Sequence, residues 1–149
     1  MDHLTPGTTV DDVLLPIEAG KIREFARATG TEDAVHVDVS AARAAGHPAV
    51  VAPLTFPVTT AHLRDQARFV ERLGLDIARI VMGEVSWEYR RPLHAGDVLH
   101  AHRTVESDTE RESRRGRMRL VGLVTEFTTE DGEVVLVQRE TLIERGAAS

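Results

Sequence analysis

The sequence predicts an α+β fold in which an antiparallel sheet wraps around one long helix, and three observations carry that expectation. Apolar residues recur at helical spacing through residues 55–74. The hydrophobic period then changes to two, as Val85, Trp87 and Tyr89 alternate with Ser86, Glu88 and Arg90. Finally, the pair Asp131-Gly132 between two apolar alternating runs is a strong hairpin signal.

Taken in chain order, the first ten residues read as a polar lead-in, and Val10 to Ile17 as a first strand at the sheet edge that ends at Pro16. Residues 18–29 place Ile22, Phe25, Ala26 and Thr29 on one helical face, with Gly30 as a C-terminal cap. Ser40 is placed to cap a short helix, AARAA, which Gly46 stops. In the long helix Phe56, Leu63, Ala67, Val70 and Leu73 form the apolar face, opposite Arg64, Asp65, Arg68 and Glu71. A strand follows in which Leu99, Ala101, Arg103 and Val105 oppose His100, His102 and Thr104. Residues 118–127 and 134–143 complete the sheet. The charged run DTERESRRGR, residues 108–117, reads as a solvated hairpin loop.

Composition bounds the function. The 149 residues are 42% hydrophobic, enough for a single domain, residues 1–149, with its own core. A formal net charge of −6 argues against nucleic acid as a partner. The absence of cysteine excludes disulfides, thiolate metal sites and a thiol nucleophile. No apolar run reaches membrane-spanning length, and a cytoplasmic protein without a membrane partner is expected.

The segment ATGTEDAVHVDVSAARAAGHPAVVAPLTF, residues 28–56, sets a single histidine, His36, in a polar loop between two Ala-rich helical patterns. RRPLHAGDVL, residues 90–99, later joins two strands. Together these resemble the MaoC-like hot-dog proteins, specifically the N-terminal, FAS1-type dehydratase branch of (R)-specific enoyl-thioester hydratases. The resemblance spans residues 15–142. The family's Gly-Asp-x-Asn-Pro-Ile-His signature matches Gly30, Thr31, Glu32, Asp33, Ala34, Val35 and His36, so the histidine is kept and the acid position holds Thr31.

The resemblance implies a hot-dog fold and hydration or dehydration of an acyl thioester, the 3-hydroxyacyl/2-enoyl interconversion on coenzyme A or an acyl carrier protein. No cofactor or metal is implied. Such chemistry needs a base for water, a proton for Cα, and N–H donors for the charge developing on the thioester oxygen. His36 is the candidate base. Thr31 and Asp33 are the candidates at and near the acid position, Asp33 also being a natural turn former. Leu54 and Thr55 would supply oxyanion amides, and Phe56 completes the candidate substrate segment.

Weaker candidates have plainer readings. Asp65 and Glu71 suit a solvated helix face, and His100 with His102 suit an exposed strand face better than a metal. Arg90, Arg91, Arg114, Arg115, Arg117 and Arg119 are candidate phosphate contacts or solubility charges. RRPLHAGD reads as a turn that supports the fold more than the mechanism. A dimer is expected, either homodimeric or with a second hot-dog chain, because sheet edges need cover. Two alternatives to a self-sufficient hydratase remain: a non-catalytic substrate-binding subunit of a heterodimeric dehydratase, and a thioesterase or tailoring enzyme on the same fold.

Overall fold

The computed structural model describes residues 3–146. Five antiparallel strands form one sheet: β1 (Thr9–Pro16), β2 (Ile80–Tyr89), β3 (Val98–Ser113), β4 (Gly116–Thr128) and β5 (Val134–Arg145). Their spatial order is β1-β3-β4-β5-β2, so β1 and β2 are the two edges. The Asp131-Gly132 turn joins β4 to β5, with Gly132 at φ 86°, a value that costs a side-chain-bearing residue dearly.

Helices α1 (Ala19–Ala28), α2 (Val39–Ala44) and α3 (Gln66–Leu73) lie between β1 and β2 in the chain. Helix α1 ends at Gly30, φ 66°, as its sequence suggests. The cap of α2 is Asp38 rather than Ser40: its carboxylate accepts the Ser40 N–H at 2.8 Å. A carboxylate serves there as well as a hydroxyl, and it stands at the turn of the chain.

The long helix across residues 55–74 is divided. A 3₁₀ segment, Phe56–Leu63, precedes α3, and Arg64 between them is extended at ψ 146°. Two local preferences outweigh the periodicity. Pro57 lies in the first turn of the 3₁₀ segment, and Asp65 accepts the Arg68 N–H at 3.1 Å, which starts a new helix. Ala67 and Leu63 therefore face outward, and Phe69, Val70 and Leu73 pack inward instead.

Two apolar clusters cover the inner face of the sheet. One joins Leu15, Ile17, Ile22, Phe56, Leu93, Leu99, Phe127 and Leu136, and the other joins Val10, Leu73, Leu75, Val105, Val121, Leu123 and Leu142. Phe56 is fully buried and meets Phe25 edge to face at 5.5 Å. Arg103 also faces inward, as its alternation requires, paired with Glu140 at 2.8 Å and with Asp11, its guanidinium over the Phe69 ring.

The run at residues 108–117 is not a loop. Strands β3 and β4 continue through it, with Asp108 opposite Val121 and Ser113 opposite Gly116. Only the tip turns, at Arg114 and Arg115. Charge density masks the strand period here because outer and inner positions are both polar. Asp108 and Arg119 pair at 2.7 Å with their side chains almost wholly buried.

Candidate active site

Residues 50–55 run along the mouth of a cleft of about 470 Å³ lined by Thr31, His36, His47, Val51–Thr55, Tyr89, Pro92 and Leu93. Its walls are mostly apolar, which suits an acyl chain and excludes water from polar contacts.

His36 ends a 3₁₀ turn, Ala34–His36. Its Nδ1 lies 2.6 Å from the Val51 carbonyl, an acceptor only, so Nδ1 carries the proton and donates. In the neutral ring Nε2 is then the basic nitrogen. The Val51 N–H returns a bond to the Val35 carbonyl at 3.0 Å, tying the histidine loop to the cleft segment from both sides.

Thr31 lines the same cleft, and its hydroxyl pairs with Thr29 Oγ1 at 2.9 Å. Asp33 does not line it. The Asp33 carboxylate accepts the Val35 N–H at 3.1 Å, the self-bonded turn geometry of an Asx residue, and the residue is exposed. Glu32 is exposed as well. Among the described residues, no carboxylate lines the cleft.

Leu54 and Thr55 are exposed at the cleft, and Phe56 lies in the core beneath it. The Phe56 N–H bonds to the Pro53 carbonyl at 2.9 Å, closing a turn whose central residues are Leu54 and Thr55. The amides of Leu54 and Thr55 have no backbone partner among the described residues.

The RRPLHAGD segment does more than turn the chain. The Ala52 N–H bonds to Leu93 O at 2.8 Å and the Ala95 N–H to Val50 O at 2.9 Å, so the segment forms one wall of the cleft. Arg91 holds Asp97 with two hydrogen bonds, at 2.9 and 3.1 Å, and Asp97 in turn accepts the His94 N–H.

Two histidines that sequence reasoning passed over meet here. His47 Nδ1 and His94 Nε2 are 3.1 Å apart, so one carries the shared proton and the other accepts it. Burial lowers the His94 pKa and His47 lowers it further, against Asp97, which raises it. Residues 47 positions apart in sequence carry no spacing signal, so only the fold brings this pair together.

The remaining candidates fall elsewhere. Asp65 caps α3, and Glu71 is exposed. His100 and His102 stand exposed on β3, facing Asp12 of β1 at 3.9 and 3.2 Å. Arg90 is exposed, and Arg117 pairs with Glu110 and Glu112 on the outer hairpin face.

The family described as "FAS1-like, dehydratase domain region" matches residues 5–138. A UPF0336 protein of Saccharopolyspora erythraea is 41% identical over 130 residues, covering 86% of this chain and 80% of the relative. A UPF0336 protein of Clavibacter michiganensis is 41% identical over 132 residues, 85% and 83% of the two chains. Among solved structures, one chain of the truncated HadBC (3R-hydroxyacyl-ACP dehydratase) complex of Mycobacterium tuberculosis is similar with a TM-score of 0.71. It is 28% identical, over 87% of this chain and 90% of that one. A MaoC-like dehydratase is 28% identical at a TM-score of 0.76, covering 95% of this chain and 43% of its own. The hot-dog fold follows from these likenesses and from the antiparallel five-stranded sheet.

Proposed function

Because the chain belongs to the FAS1-like dehydratase domain family, we propose that it binds 3-hydroxyacyl or 2-enoyl thioesters and takes part in their interconversion as one chain of a two-chain hot-dog dehydratase. The observation that carries this reading is the composition of the cleft. Among the described residues it offers an oriented imidazole, two amides without a backbone partner, apolar walls and no carboxylate. Addition of water to the enoyl Cβ moves the C=C electron pair toward the thioester oxygen and leaves Cα to be protonated. His36 Nε2 suits removal of the water proton, and the Leu54 and Thr55 amides suit the oxygen charge. A threonine hydroxyl is no acid at neutral pH, so the Cα proton is assigned to a carboxylic acid on the second chain.

The purified chain alone is expected to bind crotonyl-CoA and hydrate it slowly or not at all. Hydration should appear when a second hot-dog chain is added that supplies the carboxylic acid but whose own histidine has been replaced. Full turnover by this chain alone would overturn the two-chain reading. Release of free thiol without hydration would make it a thioesterase.

A self-sufficient hydratase is favoured by one specific feature, the anchoring of His36 at Nδ1, which leaves Nε2 as a base. On that reading the proton for Cα comes from within the cleft, and Thr31→Asp would raise an existing rate rather than create one.

A further inference from the structure

We infer that Tyr89 is a positioning residue that fixes the Leu54–Thr55 peptide so that its N–H, and not its carbonyl, is held for the thioester oxygen. The inference rests on the thioester-binding reading above and goes beyond it, because it decides how the amide pair is kept competent. The Tyr89 hydroxyl donates to the Leu54 carbonyl at 2.5 Å, across 35 residues of chain. A trans peptide is planar, so a carbonyl pinned on one side sends the Thr55 N–H to the other.

The turn explains why pinning matters. Thr55 has φ −93° and ψ −1°, the values of the third residue in a type I turn closed by the Phe56 N–H and the Pro53 carbonyl. A type I turn becomes type II by rotation of its central peptide, which here is the Leu54–Thr55 peptide. That rotation would exchange the N–H for the carbonyl, replacing attraction for a developing oxyanion by repulsion. Leu54 is exposed and offers no packing to resist it. Type II needs a positive φ at Thr55, which disfavours the complete flip but leaves partial rotation of the peptide open. Tyr89 adds the directional restraint.

The surroundings fit a fixed donor. Tyr89 lies at the end of β2, paired with Leu136 of β5, so the ring stands on the sheet rather than on a loop. Burial raises its pKa, keeping the phenol protonated across the working pH range. Neighbouring parts of the same segment are clamped in the same manner: His36 holds the Val51 carbonyl, and Leu93 takes the Ala52 N–H. The segment is thus anchored at Val51, Ala52 and Leu54, and the amides of Leu54 and Thr55 are left over.

The test reads the carbonyl directly and needs no turnover. Hexanoyl-CoA labelled with ¹³C at its thioester carbonyl is bound to the purified protein and observed by difference infrared spectroscopy. Wild type should lower the carbonyl stretch on binding. Tyr89→Phe, which keeps the ring and removes the hydroxyl, should return the band toward its free position while affinity changes by less than about threefold, since an N–H aimed elsewhere loses polarisation rather than apolar contact. Replacing Tyr89 by 4-aminophenylalanine, which keeps a donor at the same ring position, should keep the wild-type band. A wild-type band in Tyr89→Phe would overturn the positioning role and leave thioester binding standing. A band lost with 4-aminophenylalanine at position 89 would overturn it too, and serves if Tyr89→Phe does not fold. Wild type that fails to bind hexanoyl-CoA would overturn the thioester reading and this role with it.

Discussion

His36 illustrates how much a single side chain contributes once both its nitrogens are assigned. Its Nδ1 ties two loops together, so replacement removes a tether as well as a base. His36→Ala in the active two-chain assembly is expected to lower hydration by about 10²–10⁴, the usual cost of a lost general base. His36→Asn, which can still donate to Val51, separates the two roles: folding should recover and turnover should not. Near-wild-type hydration by either variant would return His36 to a purely structural part. His94 makes a prediction about pH. Its folded pKa lies below the ordinary 6.5, chiefly because burial disfavours the charged ring, so the unfolded chain binds the proton more readily. Its contribution to stability is complete above that ordinary value and is lost as pH falls toward the folded one. Thermal midpoints should therefore decline below about pH 6.5, and His94→Gln should flatten that decline. An unchanged profile in His94→Gln would assign the decline to another group. His36 and the turn tendency of Asp33 are readable in the sequence, because loop chemistry is local. The His47–His94 pair and the Tyr89–Leu54 bond are not, since each joins residues far apart in the chain.

At the scale of elements, the β3–β4 hairpin depends on one buried ion pair. Burial alone would raise the Asp108 pKa, but hydrogen bonds from Arg119, the Leu4 N–H and His3 hold it down to about 2. Arg119 also donates to the Gly74 carbonyl at the end of α3, so the pair fastens helix to hairpin. Asp108→Asn leaves the guanidinium buried beside a neutral partner and is expected to cost about 3 kcal/mol, within the usual range for breaking a buried pair. The loss is measurable by urea denaturation. With Asp108 depressed, wild-type stability should also fall between about pH 4 and pH 2, where the folded carboxylate finally protonates. Asp108→Asn should lose that limb of the profile. The charged run around Asp108 reads as solvated loop because alternation is judged by polarity. Here polar residues occupy both faces, and the inward ones are matched only by partners elsewhere in the fold. The division at Arg64 and Asp65 misleads in the opposite way: the apolar period is continuous across it, but the local cap at Asp65 outweighs the period.

The whole molecule leaves β2 as an uncovered edge, with exposed apolar side chains nearby at Val58 and Met82. An open strand edge beside apolar surface favours pairing with another chain. At micromolar concentration the folded protein should show at least twice the chain's mass by light scattering. A folded monomer would contradict this expectation for the chain alone.

The sequence by itself determined the α+β class, the strand periods, the Asp131-Gly132 hairpin and the histidine loop, because each depends on contacts within a few residues or on simple alternation. The family resemblance rests on the same local pattern. Tertiary structure decided what lies beside what. It placed RRPLHAGD against residues 50–52, sent Phe56 into the core, kept Asp33 out of the cleft and aimed Tyr89 at Leu54. Those outcomes depend on the register of the sheet and on which backbone groups remain to be satisfied once it forms, and a linear spacing rule carries neither.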